Sequence, residues 1–267
     1  TLPYGSTIFF PKGLFLVSGP IAMPNNRVNI LGSENNVADQ DKAIGTVLSF
    51  SNLKANDSCV TLGNVNTYIK NIKISANAFE MSENRDNIGE NIDVFTENII
   101  VENVTGLRLP SRTYGYLIDN VTVVRTSNWA IVGSFYNIVN NVSIYQCKQG
   151  IICFNDCVIT NIRCVNTERA VQMAGALIIL DNLRCDSIRT DAVYVAGNGC
   201  IINNVQVDYA QQSAIRVVAA SNVQISNVTG RSGTISPANK KTVAEDSKNN
   251  TNKFGCLILI DGGASCR

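Results

Sequence analysis

Tyr116-Leu-Ile-Asp-Asn120-Val-Thr-Val123 is the stretch that decides the fold, because the chain repeats it. It returns as Asn137-Ile-Val-Asn-Asn141-Val-Ser-Ile144, Cys157-Val-Ile-Thr-Asn161-Ile-Arg-Cys164 and Ile178-Ile-Leu-Asp-Asn182-Leu-Arg-Cys185. Two more copies are Cys200-Ile-Ile-Asn-Asn204-Val-Gln-Val207 and Val223-Gln-Ile-Ser-Asn227-Val-Thr-Gly230. The key asparagines stand 21, 20, 21, 22 and 23 residues apart. A second phrase keeps step with them: Ala130-Ile131, Gly150-Ile151, Ala170-Val171, Ala192-Val193 and Ala214-Ile215. Two phrases that hold phase over five copies mark a stacked repeat, each unit too small to bury its apolar face alone.

Alternation of side chains across a strand gives each coil three short strands. In one coil they are Ala192–Ala196, Cys200–Asn203 and Val205–Val207, the last two separated by Asn204. The expected fold is all-β: a single right-handed parallel β-helix of roughly ten coils, about 45–50 Å long at the spacing of β-strands. Asn71, Asn120, Asn141, Asn161, Asn182, Asn204 and Asn227 are expected to turn inward and stack their amides as a ladder. Sequons such as Asn141-Val-Ser143 then read as by-products of the repeat.

Composition narrows the functions. Apolar residues make up 45% of the chain, charged residues 16%, and 22 basic residues face 21 acidic ones. Without a basic surplus, nucleic acid is not an expected partner. No apolar run is long enough to span a bilayer and the opening residues do not read as a signal peptide, so no membrane insertion is expected. The absence of histidine removes histidine bases, triads and most zinc sites. No cofactor is implied. The nine cysteines form no Cys-x-x-Cys pair, and most stand at inward positions, Cys164 directly above Cys185 among them. They read as small core fillers in a protein folded in a reducing cytoplasm.

All 267 residues read as one domain. Residues 1–46 are entry coils and a polar loop, 47–230 regular coils interrupted by an insertion at 76–91, 231–254 a second insertion, and 255–267 the last strand. Near the start, Ile8-Phe-Phe-Pro-Lys-Gly13, Phe15-Leu-Val-Ser-Gly-Pro-Ile21 and Ile30-Leu-Gly32 resemble the N-terminal portion of the pectate-lyase-like right-handed β-helix family, phage tailspike and appendage domains in particular. Members usually carry an amphipathic capping helix before this point, so the chain is expected to be part of a longer one. The resemblance implies bacterial surface polysaccharide as partner, a homotrimer, and a place on the virion after assembly in the host cytoplasm; an extracellular location is the alternative. The catalytic motifs of polygalacturonase-type relatives and the calcium-aspartate setting of pectate lyases are absent.

Sites must therefore be sought in the columns of outward residues. The first-strand column is expected to run Thr61, Asp93, Pro110, Val132, Ile152, Gln172, Tyr194, Arg216. Asp93 is its one carboxylate, and the insertion bearing Glu83, Asp86 and Glu90 leads into it; such a group suits glycoside hydrolysis, which needs an acid and a base or nucleophile. A solvated polar loop is the plainer reading of the same residues. Trp129, Gln172, Tyr194 and Arg216 combine aromatic faces with planar polar groups, as sugar recognition requires, although Trp129 also fits ordinary strand-edge packing. On the second-strand face, Glu102 and Asp119 are expected to be neighbours on successive coils, as a catalytic pair, a cation site or simply solvated acids. No other metal site is expected. The expectation is a tailspike-type module that binds, and in its catalytic form hydrolyses, surface polysaccharide; the alternatives are a non-catalytic structural or receptor-binding β-helix and a cation-dependent polysaccharide lyase.

Overall fold

The computed structural model describes residues 2–23, 27–33, 45–63, 66–78, 100–110, 114–232 and 256–261. Every regular element among them is a β-strand, and they wind into a right-handed solenoid of about eight turns. Two parallel sheets form its walls. The bent sheet contains β1 (Thr7–Phe10), β2 (Gly13–Val17), β4 (Asn29–Gly32), β5 (Thr46–Phe50), β7 (Tyr68–Ser75) and β9 (Leu117–Val124). It continues with β11 (Ile138–Tyr145), β13 (Val158–Thr167), β15 (Ile179–Ile188), β17 (Ile201–Ala210) and β19 (Gln224–Ser232). The straight sheet contains β3 (Ile21–Ala22), β6 (Ser58–Thr61), β8 (Thr105–Arg108), β10 (Trp129–Val132) and β12 (Gln149–Cys153). After these come β14 (Arg169–Met173), β16 (Val193–Val195), β18 (Ser213–Val218) and β20 (Cys256–Asp261).

The second and third strands expected in each coil run together as one strand, bent at the repeated asparagine. Asn71, Asn120, Asn141, Asn161, Asn182, Asn204 and Asn227 all have φ between 52° and 56°. This left-handed conformation strains most side chains, and asparagine tolerates it best among those with a Cβ. The conformation also corrects the direction expected for these side chains. Ile118 and Val121 are buried, so the two residues between them, Asp119 and Asn120, both face out. Asn141, Asn161, Asn182, Asn204 and Asn227 are exposed. The ladder exists, but on the outer surface: Asn120 Nδ2 donates to Asn71 Oδ1 at 3.0 Å, Asn182 to Asn161 at 2.6 Å, and Asn227 to Asn204 at 3.2 Å. Two rungs cross to the next column, Asn161 Nδ2 reaching Asn140 Oδ1 at 2.9 Å and Asn204 Nδ2 reaching Asp181 Oδ1 at 2.8 Å. An inward orientation therefore no longer explains the sequons.

The described residues between β7 and β8 add no rung to either sheet. β6 pairs directly with β8, Thr61 opposite Arg108, and β7 pairs directly with β9. The straight sheet's outward column is therefore Thr61, Arg108, Val132, Ile152, Gln172, Tyr194, Arg216 and Leu259, with Arg108 in place of Pro110. Asp93, Glu90, Asp86 and Glu83 lie outside the described residues.

Inward aliphatic stacks such as Ile159, Leu180 and Ile202 fill the core and are fully buried. Cys164 sits opposite Cys185 as expected, and Cys59, Cys147, Cys153, Cys157, Cys164, Cys185 and Cys200 are buried free thiols. Where coils press closest a side chain has no room: a Cβ on Gly197 would meet the Gly175 carbonyl oxygen at 1.5 Å.

Candidate functional site

Three of the four residues expected to bind sugar meet on the outer face of the straight sheet. Gln172, Tyr194 and Arg216 are ladder neighbours on β14, β16 and β18. A second column starts three residues earlier in each coil: Trp129, Gln149 and Arg169 are in register, and Asp191 and Ser213 hold the equivalent places on the next two coils, two residues before Val193 and Ile215. The two columns meet on one face, as the contacts of Arg169 with Gln172 and with the Tyr194 ring show.

The two columns interlock at Asp191. Its side chain is 0% exposed. Oδ1 accepts a 2.5 Å hydrogen bond from the Ser213 hydroxyl. Oδ2 lies 3.8 Å from Arg216 Nη1 and 4.0 Å from Arg169 Nη2, and has no hydrogen-bond donor among the described residues. Arg216 turns its other edge to Asp261 at the end of β20, with Nη2 and Nε 2.7 and 2.8 Å from Oδ2. Arg169 Nη1 donates to Gln172 Oε1 at 2.9 Å, while its guanidinium lies 4.5 Å from the centre of the Tyr194 ring. The result is two guanidinium groups alternating with two carboxylates, backed by an aromatic ring.

Electrostatics follow from that arrangement. Burial lowers the pKa of Arg169, and the Asp191 carboxylate is the largest opposing influence. The hydrogen bond to Asp261 raises the pKa of Arg216. Each carboxylate is held against a guanidinium, Asp191 beside Arg216 and Arg169 and Asp261 beside Arg216. The cluster offers fixed donors, fixed acceptors and one partly open ring, which is equipment for holding hydroxyl-rich ligands. Trp129 stands two coils from Arg169 in the same column, about 10 Å away at strand spacing. It lies on this face but outside the cluster.

Glu102 and Asp119 are not brought together. Glu102 sits in the turn before β8. Asp119 has Lys70 and Asn140 as ladder neighbours, with Lys70 Nζ at 3.9 Å and Asn140 Nδ2 donating to it at 2.9 Å. The pairing fails because Asn103, although left-handed with φ 56°, belongs to that turn and forms no rung. Among the described residues no three Cys, Asp or Glu side chains group as a metal site.

Arg169, Asp191 and Asp261 were not expected here. The signal for the first two is positional: each lies two residues before an inward valine of the second repeated phrase, in the column that Trp129 begins.

The family model described as "Rhamnogalacturonase A/epimerase, pectate lyase-like" matches residues 1–194. No curated protein sequence matches the chain. Among solved structures, the chain is similar to the catalytic domain of a GH87 α-1,3-glucanase in complex with tetrasaccharides, with TM-score 0.51 and 12% identity over 86% of this chain and 51% of that one. It is also similar to DFA-IIIase from Arthrobacter chlorophenolicus A6 in complex with DFA-III, with TM-score 0.53 and 10% identity over 97% of this chain and 83% of that one. The chain thus spans about half of the glucanase domain. At these identities the likeness is one of fold.

Proposed function

We propose that this chain, which belongs to the rhamnogalacturonase A/epimerase, pectate lyase-like family, binds bacterial surface polysaccharide on the outer face of its straight sheet, as a module of a phage tailspike or appendage. The observation that carries the proposal is the cluster of Arg169, Gln172, Asp191, Tyr194, Arg216 and Asp261, whose donors, acceptors and ring suit sugar hydroxyls and a sugar face. That a similar fold, the GH87 α-1,3-glucanase domain, was solved in complex with tetrasaccharides supports a carbohydrate ligand. Cleavage in this reading is hydrolytic and falls to Asp93 with one or two of Glu83, Asp86 and Glu90. In this reading the cluster, whose carboxylates are engaged by guanidinium groups, is the holding site and the Asp93 group the cutting one.

In the same reading the module is a homotrimer of the virion, assembled in the host cytoplasm. The seven buried free thiols among the described residues support folding in a reducing compartment. An aliphatic row supports self-association: Leu117, Ile138, Val158, Ile179 and Ile201 are in register along the outside of the bent sheet, Ile138 being 50% and Ile179 38% exposed.

The test is a binding and depolymerase assay on host surface polysaccharide with wild type, Arg216→Ala and Asp93→Asn. Arg216→Ala is expected to weaken binding at least tenfold, while Asp93→Asn binds normally and does not cleave. Unchanged binding by Arg216→Ala removes the straight-sheet site, and unchanged cleavage by Asp93→Asn removes that residue from the chemistry. Binding without cleavage by any version leaves a receptor-binding module. Loss of activity with chelator, yielding unsaturated products, identifies a lyase.

A further inference from the structure

The outward asparagine ladder borders a groove that the straight-sheet site does not use. Its volume is about 470 Å³, and it runs along the solenoid over β15, β17 and β19. One wall is the rung series Asn182, Asn204 and Asn227; the other is Arg184, Gln206 and Thr229. Register places Arg184, Gln206 and Thr229 one above another, and Arg163 continues that wall one coil earlier beside the Asn161 rung. Arg184 makes no ion pair among the described residues, and Gln206 is exposed with no side-chain hydrogen bond among them.

Each asparagine amide has two donor hydrogens and two acceptor lone pairs. Within the ladder Asn204 gives one hydrogen to Asp181 and accepts one bond from Asn227, which leaves a donor and an acceptor for a ligand. Asn182 likewise gives one hydrogen, to Asn161, so the groove presents at least one unused donor and one unused acceptor at each coil, about 4.8 Å apart. Opposite each pair stands a planar or hydroxyl side chain. A sugar ring in an extended glycan advances by about one such rung, so successive rings of a linear chain meet successive coils in equivalent positions.

We propose that this groove is a second glycan track, which holds a linear, extended, hydroxyl-rich polysaccharide parallel to the solenoid axis with one sugar per coil. It rests on the carbohydrate reading above but on different residues, so the two can fail separately. The carboxylates of Asp181, Asp186 and Asp208 on flanking columns offset the charge of Arg163 and Arg184, which makes a neutral chain the fitting ligand.

The experiment is a titration of the whole chain, followed by NMR of its asparagine and glutamine side-chain amides, with cellohexaose and xylohexaose as extended probes and maltohexaose as a coiled one. An extended probe is expected to shift the Asn182, Asn204 and Gln206 amides, while maltohexaose leaves them in place. Affinity should rise with chain length up to about four sugars, the span from Asn161 to Asn227, and then level off. Arg184→Ala and Gln206→Ala replace exposed side chains and leave the bend intact; each is expected to weaken the binding read from these amides at least fivefold. Failure of both extended probes to shift these amides overturns the track, as does equal binding of maltohexaose. Loss of the shifts in Arg216→Ala, with Arg184→Ala unaffected, assigns the sugar to the straight sheet alone and also overturns it.

Discussion

Replacing Asp191 by asparagine while replacing Asp261 in parallel separates the buried half of the cluster from its exposed half. Both changes keep shape and remove one negative charge. Asp191 is 0% exposed and serves two guanidinium groups at 3.8 and 4.0 Å; Asp261 is 36% exposed and serves one. Two unit charges 4 Å apart interact by about 4 kcal/mol at the effective dielectric of a protein surface. Hydration returns part of that to Arg216, whose side chain is 35% exposed, but less to Arg169 at 23%. Losing one partner of a buried pair costs about 3 kcal/mol, and asparagine still accepts the Ser213 hydroxyl, so about 2–3 kcal/mol is expected for Asp191→Asn. For a chain of this size that lowers Tm by roughly 5–10 °C. Asp261→Asn should cost under about 1 kcal/mol, as exposed ion pairs do. Thermal melts measure the totals. Because a solenoid opens locally, amide exchange in β16 and β18 should show protection lost around Asp191 only. Equal costs for the two variants, or an Asp191→Asn protein as stable as wild type, would refute the reasoning that Asp191 is the hub of the cluster.

Two further outcomes are expected. Burial pushes the Cys147 thiol up to about 12 and raises Cys59 and Cys164 as well, whereas the hydrogen bond with Cys153 lowers Cys157 and offsets part of the effect. Raised thiols keep their protons in the folded chain where the unfolded chain releases them, so this stability is complete below about pH 8.5 and drains away as pH rises towards 12. At pH 10.5 Cys147 alone should account for about 2 kcal/mol, read as the urea-midpoint difference between wild type and Cys147→Val relative to pH 7.5. A difference that does not change with pH would contradict it. Substituting Ile138 and Ile179 by lysine should convert a trimer to monomers of 28.9 kDa in sedimentation, with the fold retained by circular dichroism. A trimer that persists moves the interface elsewhere, and a monomeric wild type ends the trimer proposal.

The solenoid was legible because burial writes itself into composition: Ile159, Leu180 and Ile202 recur at a fixed offset, and a slip of one residue would expose them. What strand alternation could not supply was the behaviour of the asparagines. Alternation assumes an unbroken pleat, and a left-handed residue breaks it, so the side chain that counting placed inside lies outside. Asn103-Val-Thr105 misled for the opposite reason: it carries the local phrase and the left-handed φ, yet leads into β8 of the other sheet. In the site, Gln172, Tyr194 and Arg216 were readable because each sits beside inward apolar residues in one strand. Asp191 lies just before β16, and Asp261 lies at the end of β20, far along the chain from β18, so long-range register alone delivers them to Arg216.

Each bent asparagine also acts as a parity switch. Before it, even and odd positions mean core and solvent; after it, their meanings are exchanged. Deleting Ile162 would send Arg163 and Val165 inward and turn Cys164 out, and the error would end only at the next turn. Single-residue insertions and deletions beyond the bend are thus costly one coil at a time, while a turn of any length leaves the frame untouched. The interruption between β7 and β8 obeys this grammar, for the coils on either side of it keep their register. Between β17 and β19 an extra residue is instead taken up as a bulge between Asp208 and Ala210.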